Sequence, residues 1–130
     1  DLRSILARNP NNAEALNALG YTLADRTTRY QEALDLVSRA LELRPADYFI
    51  VDSLGWVYFR LGNYGESIKY LRRALDMKLD LEVAAHLGEV LWVTGDKESA
   101  REVWQKALSA NPKGKKELIL EVMRRLDVNG

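Results

Sequence analysis

The chain has 130 residues, of which 47% are hydrophobic and 29% charged, and its formal net charge at pH 7 is zero. Balanced charge excludes a general attraction to nucleic acid or anionic membranes, and the absence of cysteine excludes disulfides, thiolate chemistry and most zinc sites. No apolar run approaches the roughly 20 residues that a membrane span needs, so we expect no membrane insertion by this chain.

Residues 1–12 have the apolar spacing of a single helix that ends before a proline. Leu2 and Pro10 align with Val37 and Pro45, which lie in a later helix of the same pattern. We interpret this segment as the second helix of a hairpin whose first helix is missing. We therefore expect the chain to be a fragment of a longer repeat protein.

Residues 13–47 predict a helix hairpin. Asn11 and Asn12 are suited to cap a first helix that begins at Ala13, because their side chains accept hydrogen bonds from free backbone N–H groups. A turn follows, and a second helix is expected over residues 30–43. It ends before Pro45, since the residue before a proline avoids the helical conformation.

Residues 48–80 predict a second hairpin, with a break at Gly62. On its first helix, Val51 and Leu54 lie on one apolar face at helical spacing. Gly55 lies inside this helix, where glycine costs about 1 kcal/mol relative to alanine. We therefore predict that the partner helix approaches closely at Gly55, with the small residue Ser67 facing it.

Residues 81–114 repeat the pattern, with helices expected near 81–94 and 97–110. After a break at Asn111 to Gly114, residues 115–127 predict a last helix with one apolar side. That side comprises Leu118, Ile119, Val122, Met123 and Leu126. A helix that is polar on its other side is typical of the cap at the end of a helical solenoid.

The in-helix glycines define a repeat. Gly20, Gly55 and Gly88 recur at intervals of 35 and 33 residues. The small residues of the partner helices recur with nearly the same step; they are Ala33, Ser67 and Ala100. A fixed period near this length predicts a helical solenoid of stacked hairpins.

The recurring order of a large residue, Leu-Gly, a second large residue and then small residues resembles the tetratricopeptide repeat. Each of the three hairpins matches it, with one extra residue in the first turn and Leu79 in place of the usual closing proline. The resemblance implies an all-α, right-handed α–α superhelix of antiparallel hairpins. Its parts would be a truncated repeat at 1–12, repeats at 13–47, 48–80 and 81–114, and a capping helix at 115–127.

The sequence does not predict an enzyme, a metal site or a cofactor. His86 is the single histidine and has no second histidine or cysteine to complete a ligand set, so we interpret it as a polar residue on or near a helix face. The serines lie outside any nucleophile motif, and the glycines are dispersed at repeat spacing rather than clustered as in a phosphate loop.

The first helix of the middle repeat carries a second, largely aromatic stripe. It is formed by Phe49, Asp52, Trp56, Phe59 and Arg60, at helical spacing and opposite Val51 and Leu54. A helix that is apolar on both faces is either buried on both or offers one of them to a partner. Aromatic and arginine side chains are typical of interface hot spots, so partner binding and packing against neighbouring helices both remain open.

The tetratricopeptide resemblance implies that first helices line a concave groove that binds another protein, either as an extended peptide or as a helix. The positions implied are Asn17, Tyr21, Asp25, Phe49, Asp52, Trp56, Phe59, Arg60, Glu89 and Trp92. The basic clamp that some members use for a terminal carboxylate is absent, so an apolar or basic segment is the expected ligand. The alternative is a structural end segment that self-associates or packs intramolecularly through its truncated first helix.

A narrower likeness concerns the runs NNAEALNALGYTLADRTTRYQEAL and DYFIVDSLGWVYFRLGNY. They are similar to the C-terminal repeats of large proteobacterial tetratricopeptide-repeat proteins, many of them outer-membrane lipoproteins. This resemblance implies a periplasmic adaptor that brings a protease or an envelope-assembly enzyme to its substrates. A cytoplasmic location is the alternative.

Overall fold

The computed structural model describes residues 1–129, within which the chain forms eight α-helices and no strand. The helices are α1 (Leu2–Arg8), α2 (Ala13–Arg26), α3 (Tyr30–Leu43), α4 (Tyr48–Arg60), α5 (Tyr64–Met77), α6 (Leu81–Val93), α7 (Lys97–Ala110) and α8 (Glu117–Arg125). The predicted all-α fold is confirmed. Helices α3 and α7 begin and end at the residues that the sequence predicts.

Side-chain caps set the start of most helices. The Asn12 side chain accepts a hydrogen bond from the backbone N–H of Ala15 at 3.0 Å, which confirms the predicted cap. The other interior caps of this kind are Asp47, Asn63, Asp80 and Asp96. Each satisfies one or two of the N–H groups that the first turn of a helix leaves free.

The turns inside the hairpins are of two kinds. Gly62 and Gly95 have φ of 82° and 101°, a left-handed conformation that glycine adopts without steric cost. The first hairpin has no glycine in its turn. There Thr27 ends α2 in an extended conformation, and its Oγ1 donates to the carbonyl of Leu23 at 2.5 Å.

Three hairpins, α2–α3, α4–α5 and α6–α7, stack in chain order. The first helices α2, α4 and α6 contact one another in succession, and each second helix packs against the first helix of the following hairpin. The buried apolar residues form three clusters along the stack, represented by Leu16, Val51 and Leu87, and each cluster joins residues of neighbouring hairpins. This is the predicted α–α solenoid. None of the helices in residues 1–129 is long and apolar enough to cross a membrane.

The in-helix glycines allow the partner helix to approach closely, as predicted, but at Gly55 the residue that lies against the glycine is not the one predicted. A Cβ at Gly55 would overlap Leu71, not Ser67, and a Cβ at Gly88 would overlap the indole of Trp104. Ser67 is instead fully buried one turn earlier on α5. The glycine therefore makes room for the large side chain that follows the small one by a helical turn.

Helix α8 packs against α6 and covers the end of the interior. Ile119 is fully buried and Val122 nearly so, as expected for the apolar side of this helix. Leu118, predicted to lie on the same side, is 41% exposed. Successive residues are 100° apart around a helix, so Leu118 lies at the edge of the face on which Ile119 is central.

Candidate functional site

The predicted stripe on α4 divides into a buried middle and exposed ends. Residues 50–57 are all buried, so α4 is covered on every side through its centre. Asp52 and Trp56 are only 2% and 6% exposed, whereas Phe49 is 45% exposed. Of the two alternatives that the sequence leaves open, burial holds for the middle of the helix and a free surface for its beginning.

A buried polar network occupies the middle of this face. Tyr21 Oη lies 3.2 Å from His86 Nε2, and His86 Nδ1 lies 2.9 Å from Asp52 Oδ1. The ring of Trp56 stacks on the imidazole, with centroids 4.5 Å apart. Because Tyr21 is on α2, Asp52 on α4 and His86 on α6, the network joins three successive hairpins.

The charges around His86 favour its protonated form. Burial alone would lower the pKa of His86, but the attraction and hydrogen bond of Asp52, with the charges of Glu82 and Glu89, together raise it above 6.5. Burial raises the pKa of Tyr21 far above 10, and the nearby carboxylates add to this effect. The charge of the protonated imidazole is therefore paired with the carboxylate of Asp52.

The order tyrosine, histidine, aspartate resembles that of a nucleophile, a base and an orienting acid. The chemistry does not fit, because a tyrosine whose pKa is raised keeps its proton and is a poor nucleophile. Within residues 1–129 there is also no group of three or more histidine or acidic side chains with metal-binding geometry. The arrangement fits a structural link between repeats.

Glu89 lies in the buried part of the predicted groove and is held by the capping helix. Both of its oxygens accept hydrogen bonds from the guanidinium of Arg125, at 2.6 and 3.0 Å. Two parallel charge-assisted bonds of this kind are stronger than a single neutral one. Glu89 therefore serves to attach α8 to α6.

The remaining predicted positions lie towards the helix ends. Arg60 Nε donates to the carbonyl of Ala24 at 3.0 Å, which ties α4 to α2, and Asp25 is exposed beside it. Phe59 is half-buried against Trp56, with ring centroids 5.1 Å apart. Trp92 is half-buried, and its ring lies under two cations of α7, Lys97 and Arg101.

A cavity of about 170 Å³ opens between the first helices of all three hairpins. Its wall includes Asn17 and Tyr21 of α2, Phe49 and Asp52 of α4, and Glu82 of α6. Tyr21, which lines the cavity, reaches from α2 to His86 on α6, so the cavity lies on the side of α4 where the first and third hairpins are in contact. We call it the groove cavity.

The structure brings together Asn17, Tyr21, Phe49 and Asp52 from the predicted set, and it adds two residues that the sequence analysis did not select. Glu82 lines the cavity, and His86 is the centre of the buried network rather than a polar residue at the surface. His86 aligns with Ser53, the neighbour of Asp52 in the preceding repeat, and the packing of α4 on α6 brings the side chains of His86 and Asp52 to 2.9 Å.

The family model described as tetratricopeptide repeat matches residues 1–48 and 53–115. Over 89 residues the chain is 58% identical to the TPR repeat-containing protein PA4667 of Pseudomonas aeruginosa. The match covers 68% of this chain and 15% of that protein's length.

Solved structures share the fold at lower identity. The thermophilic TPR protein TTC0263 of Thermus thermophilus matches with a TM-score of 0.79 and 22% identity, covering 97% of this chain and 68% of its own. The TPR domain of Sgt2 from Aspergillus fumigatus matches with a TM-score of 0.75 and 19% identity, and the match covers 90% of this chain and 78% of that domain. A structure of MamA matches with a TM-score of 0.70 and 21% identity, and the match covers 98% of this chain and 84% of MamA.

Proposed function

We propose that this chain, which belongs to the tetratricopeptide repeat family, is a non-catalytic interaction scaffold that binds a segment of another protein along its concave groove. The family and its fold are generally those of protein–protein interaction scaffolds. The observation that carries the proposal is Phe49. A large aromatic side chain is 45% exposed at the mouth of a cavity built by three successive first helices.

Because the middle of α4 is buried, only part of the predicted groove is open to a partner. Asp52, Trp56 and Glu89 are engaged in contacts within the protein, so their roles are to shape the groove and hold its helices together. The surface left for a partner is formed by Asn17, Tyr21, Phe49, Glu82 and the exposed edge near Asp25. A single side chain of the partner fits the cavity, and the rest of the segment would lie along the groove.

The test is affinity capture with the purified chain as bait, using Pseudomonas aeruginosa envelope and cytoplasmic extracts in parallel. The variant is Phe49→Ala, which removes exposed aromatic surface without opening the core. The matched control is Met77→Ala on α5, a residue that is 40% exposed and outside the groove cavity. We expect a protein that is enriched by the wild type and by the control but lost with Phe49→Ala. Enrichment that survives Phe49→Ala would contradict the groove as the binding surface.

We further propose a periplasmic adaptor role, in which the parent protein is anchored to the outer membrane as a lipoprotein and delivers substrates to a protease or an envelope-assembly enzyme. The support is the likeness of the repeats to those of large proteobacterial proteins, together with the 58% identity to a segment of a much longer Pseudomonas protein. The test is cell fractionation with an antibody against this chain. Recovery in the cytoplasmic fraction would favour the alternative location.

A second candidate function is self-association through α1. This helix has no buried residue, and Ile5 is 43% exposed. Sedimentation over a range of concentrations, with Ile5→Lys as the variant, tests it. A dimer that Ile5→Lys dissociates would support self-association, whereas a monomer at high concentration would exclude it.

A further inference from the structure

We propose that the groove cavity is a subsite for a basic side chain, an arginine of the partner segment. This inference deepens the proposed function and rests on it. It is carried by the joint geometry of an exposed aromatic ring, Phe49, and a carboxylate without an ion-pair partner, Glu82, in the wall of one cavity.

The cavity is acidic and has no basic side chain in its wall. Asp52 and Glu82 both line it, and the other lining residues are neutral. Asp52 is bonded to His86, but within residues 1–129 no basic side chain lies within ion-pair distance of Glu82. Burial raises the pKa of Glu82, with the charges of Asp52 and Asp80 adding to the effect and His86 opposing it. A cation bound beside Glu82 would favour the ionised form of this half-buried carboxylate.

Two further groups in the wall match a guanidinium. Phe49 and Tyr21 present aromatic rings, and a guanidinium stacks on such rings while its edge donates to a carboxylate. The Oδ1 of Asn17 has no hydrogen-bond donor among the described residues, but it is shielded from solvent, so a ligand in the open cavity does not reach it.

The size of the cavity favours one side chain rather than a small molecule. Pockets for drug-sized ligands measure roughly 300–1,000 Å³, whereas this one is about 170 Å³. It is also open to the groove, so the backbone of a partner segment would remain outside. Arginine is favoured over lysine, because its planar group stacks and donates in a fork, while an ammonium group is a point charge.

The test begins with a displayed library of random peptides selected on the purified chain. Selected peptides are resynthesised with each arginine replaced by citrulline, a neutral side chain of nearly the same shape. Affinities are measured for the wild type, for Glu82→Gln and for the matched control Glu102→Gln, which is exposed on α7. Phe49→Ala identifies peptides that bind in the groove, and circular dichroism confirms that each variant is folded.

We expect one arginine whose replacement by citrulline weakens binding to the wild type and to Glu102→Gln by about tenfold or more. The same replacement should have little effect on binding to Glu82→Gln, because the charge that it pairs with is already gone. Groove-dependent peptides that bind equally well with citrulline would overturn the arginine subsite and leave the proposed function standing. If no selected peptide depends on Phe49, the proposed function fails, and the subsite fails with it.

Discussion

At Gly88 the backbone of α6 lies directly against the indole of Trp104, and an added Cβ would overlap the ring. The indole is fully buried and cannot move aside without disturbing the interior. Gly65 offers the opposite case, since a Cβ there would meet nothing within 4 Å. Both glycines lie in helices, but only Gly88 must be glycine for the helices to pack.

We predict that Gly88→Ala lowers the free energy of unfolding by about 1–3 kcal/mol, the usual cost of overpacking a core. Gly65→Ala should leave it unchanged or raise it by about 0.5–1 kcal/mol, because alanine is the better helix former. Urea denaturation followed by circular dichroism measures both. Equal effects of the two substitutions would contradict the close packing at Gly88.

His86 is the residue at which pH should act on stability. The charges of Asp52, Glu82 and Glu89 outweigh burial, so the folded pKa of His86 lies above 6.5. A group of this kind binds its proton more tightly when the protein is folded. Its contribution to stability is complete below pH 6.5 and is lost as pH rises through the folded pKa, at about 1.4 kcal/mol for each unit of the pKa difference.

The measurement is an NMR titration of the imidazole, which gives one signal because the chain has a single histidine. We predict a pKa above 6.5 for the wild type. In Asp52→Asn the main favourable charge is lost while burial remains, so the pKa should fall and the loss of stability above pH 6.5 should diminish. A wild-type pKa at or below 6.5 would show that burial dominates.

At the scale of the element, α8 depends on one ion pair as well as on its apolar side. Arg125 donates to both oxygens of Glu89, whose side chain is almost fully buried. Neighbouring Arg124 pairs instead with Glu121 inside α8, where both side chains are exposed. Adjacent arginines on one helix therefore have different effects on its attachment.

We predict that Arg125→Ala destabilises α8 by about 1–2 kcal/mol, because it leaves a buried carboxylate without its partner while Arg125 itself is half-exposed. Arg124→Ala should change stability by less than about 0.5 kcal/mol. Hydrogen exchange of the α8 amides measures the effect where it occurs. Equal exchange rates in the two variants would mean that the apolar contacts of α8 hold the helix without the ion pair.

At the scale of the whole molecule, the solenoid contains a link between hairpins that are not neighbours. Repeat proteins usually couple only adjacent units, but Tyr21 of the first hairpin contacts His86 of the third. The bond is partly buried and crosses α4 on the side of the groove cavity. It should therefore add cooperativity that a chain of nearest-neighbour contacts lacks.

We predict that Tyr21→Phe lowers the free energy of unfolding by about 0.5–1.5 kcal/mol, which is the net contribution of one hydrogen bond to stability. A double-mutant cycle with His86→Ala should give a coupling energy of similar size. Tyr30→Phe, whose exposed hydroxyl bonds to Arg60, is the matched control and should cost less. A coupling energy near zero would mean that the first and third hairpins fold independently of this contact.

The sequence by itself determined the helices, their caps and their repetition. Local chemistry is sufficient for these features, because helical spacing, Asn12 at a cap and Gly62 in a turn act within a few residues. The period of the glycines then required the hairpins to stack, since a single hairpin cannot bury both of its apolar edges.

Only the tertiary structure decided which polar and aromatic side chains are exposed to solvent. Trp56 and Phe49 lie on one predicted stripe, yet Trp56 is buried under His86 and Phe49 is exposed, because burial depends on what neighbouring repeats place opposite each position. The partners Glu89 and Arg125 are distant in sequence and meet only when α8 folds back on α6. Helical periodicity defines a face, but only the packing of successive hairpins determines how much of that face remains open to a partner.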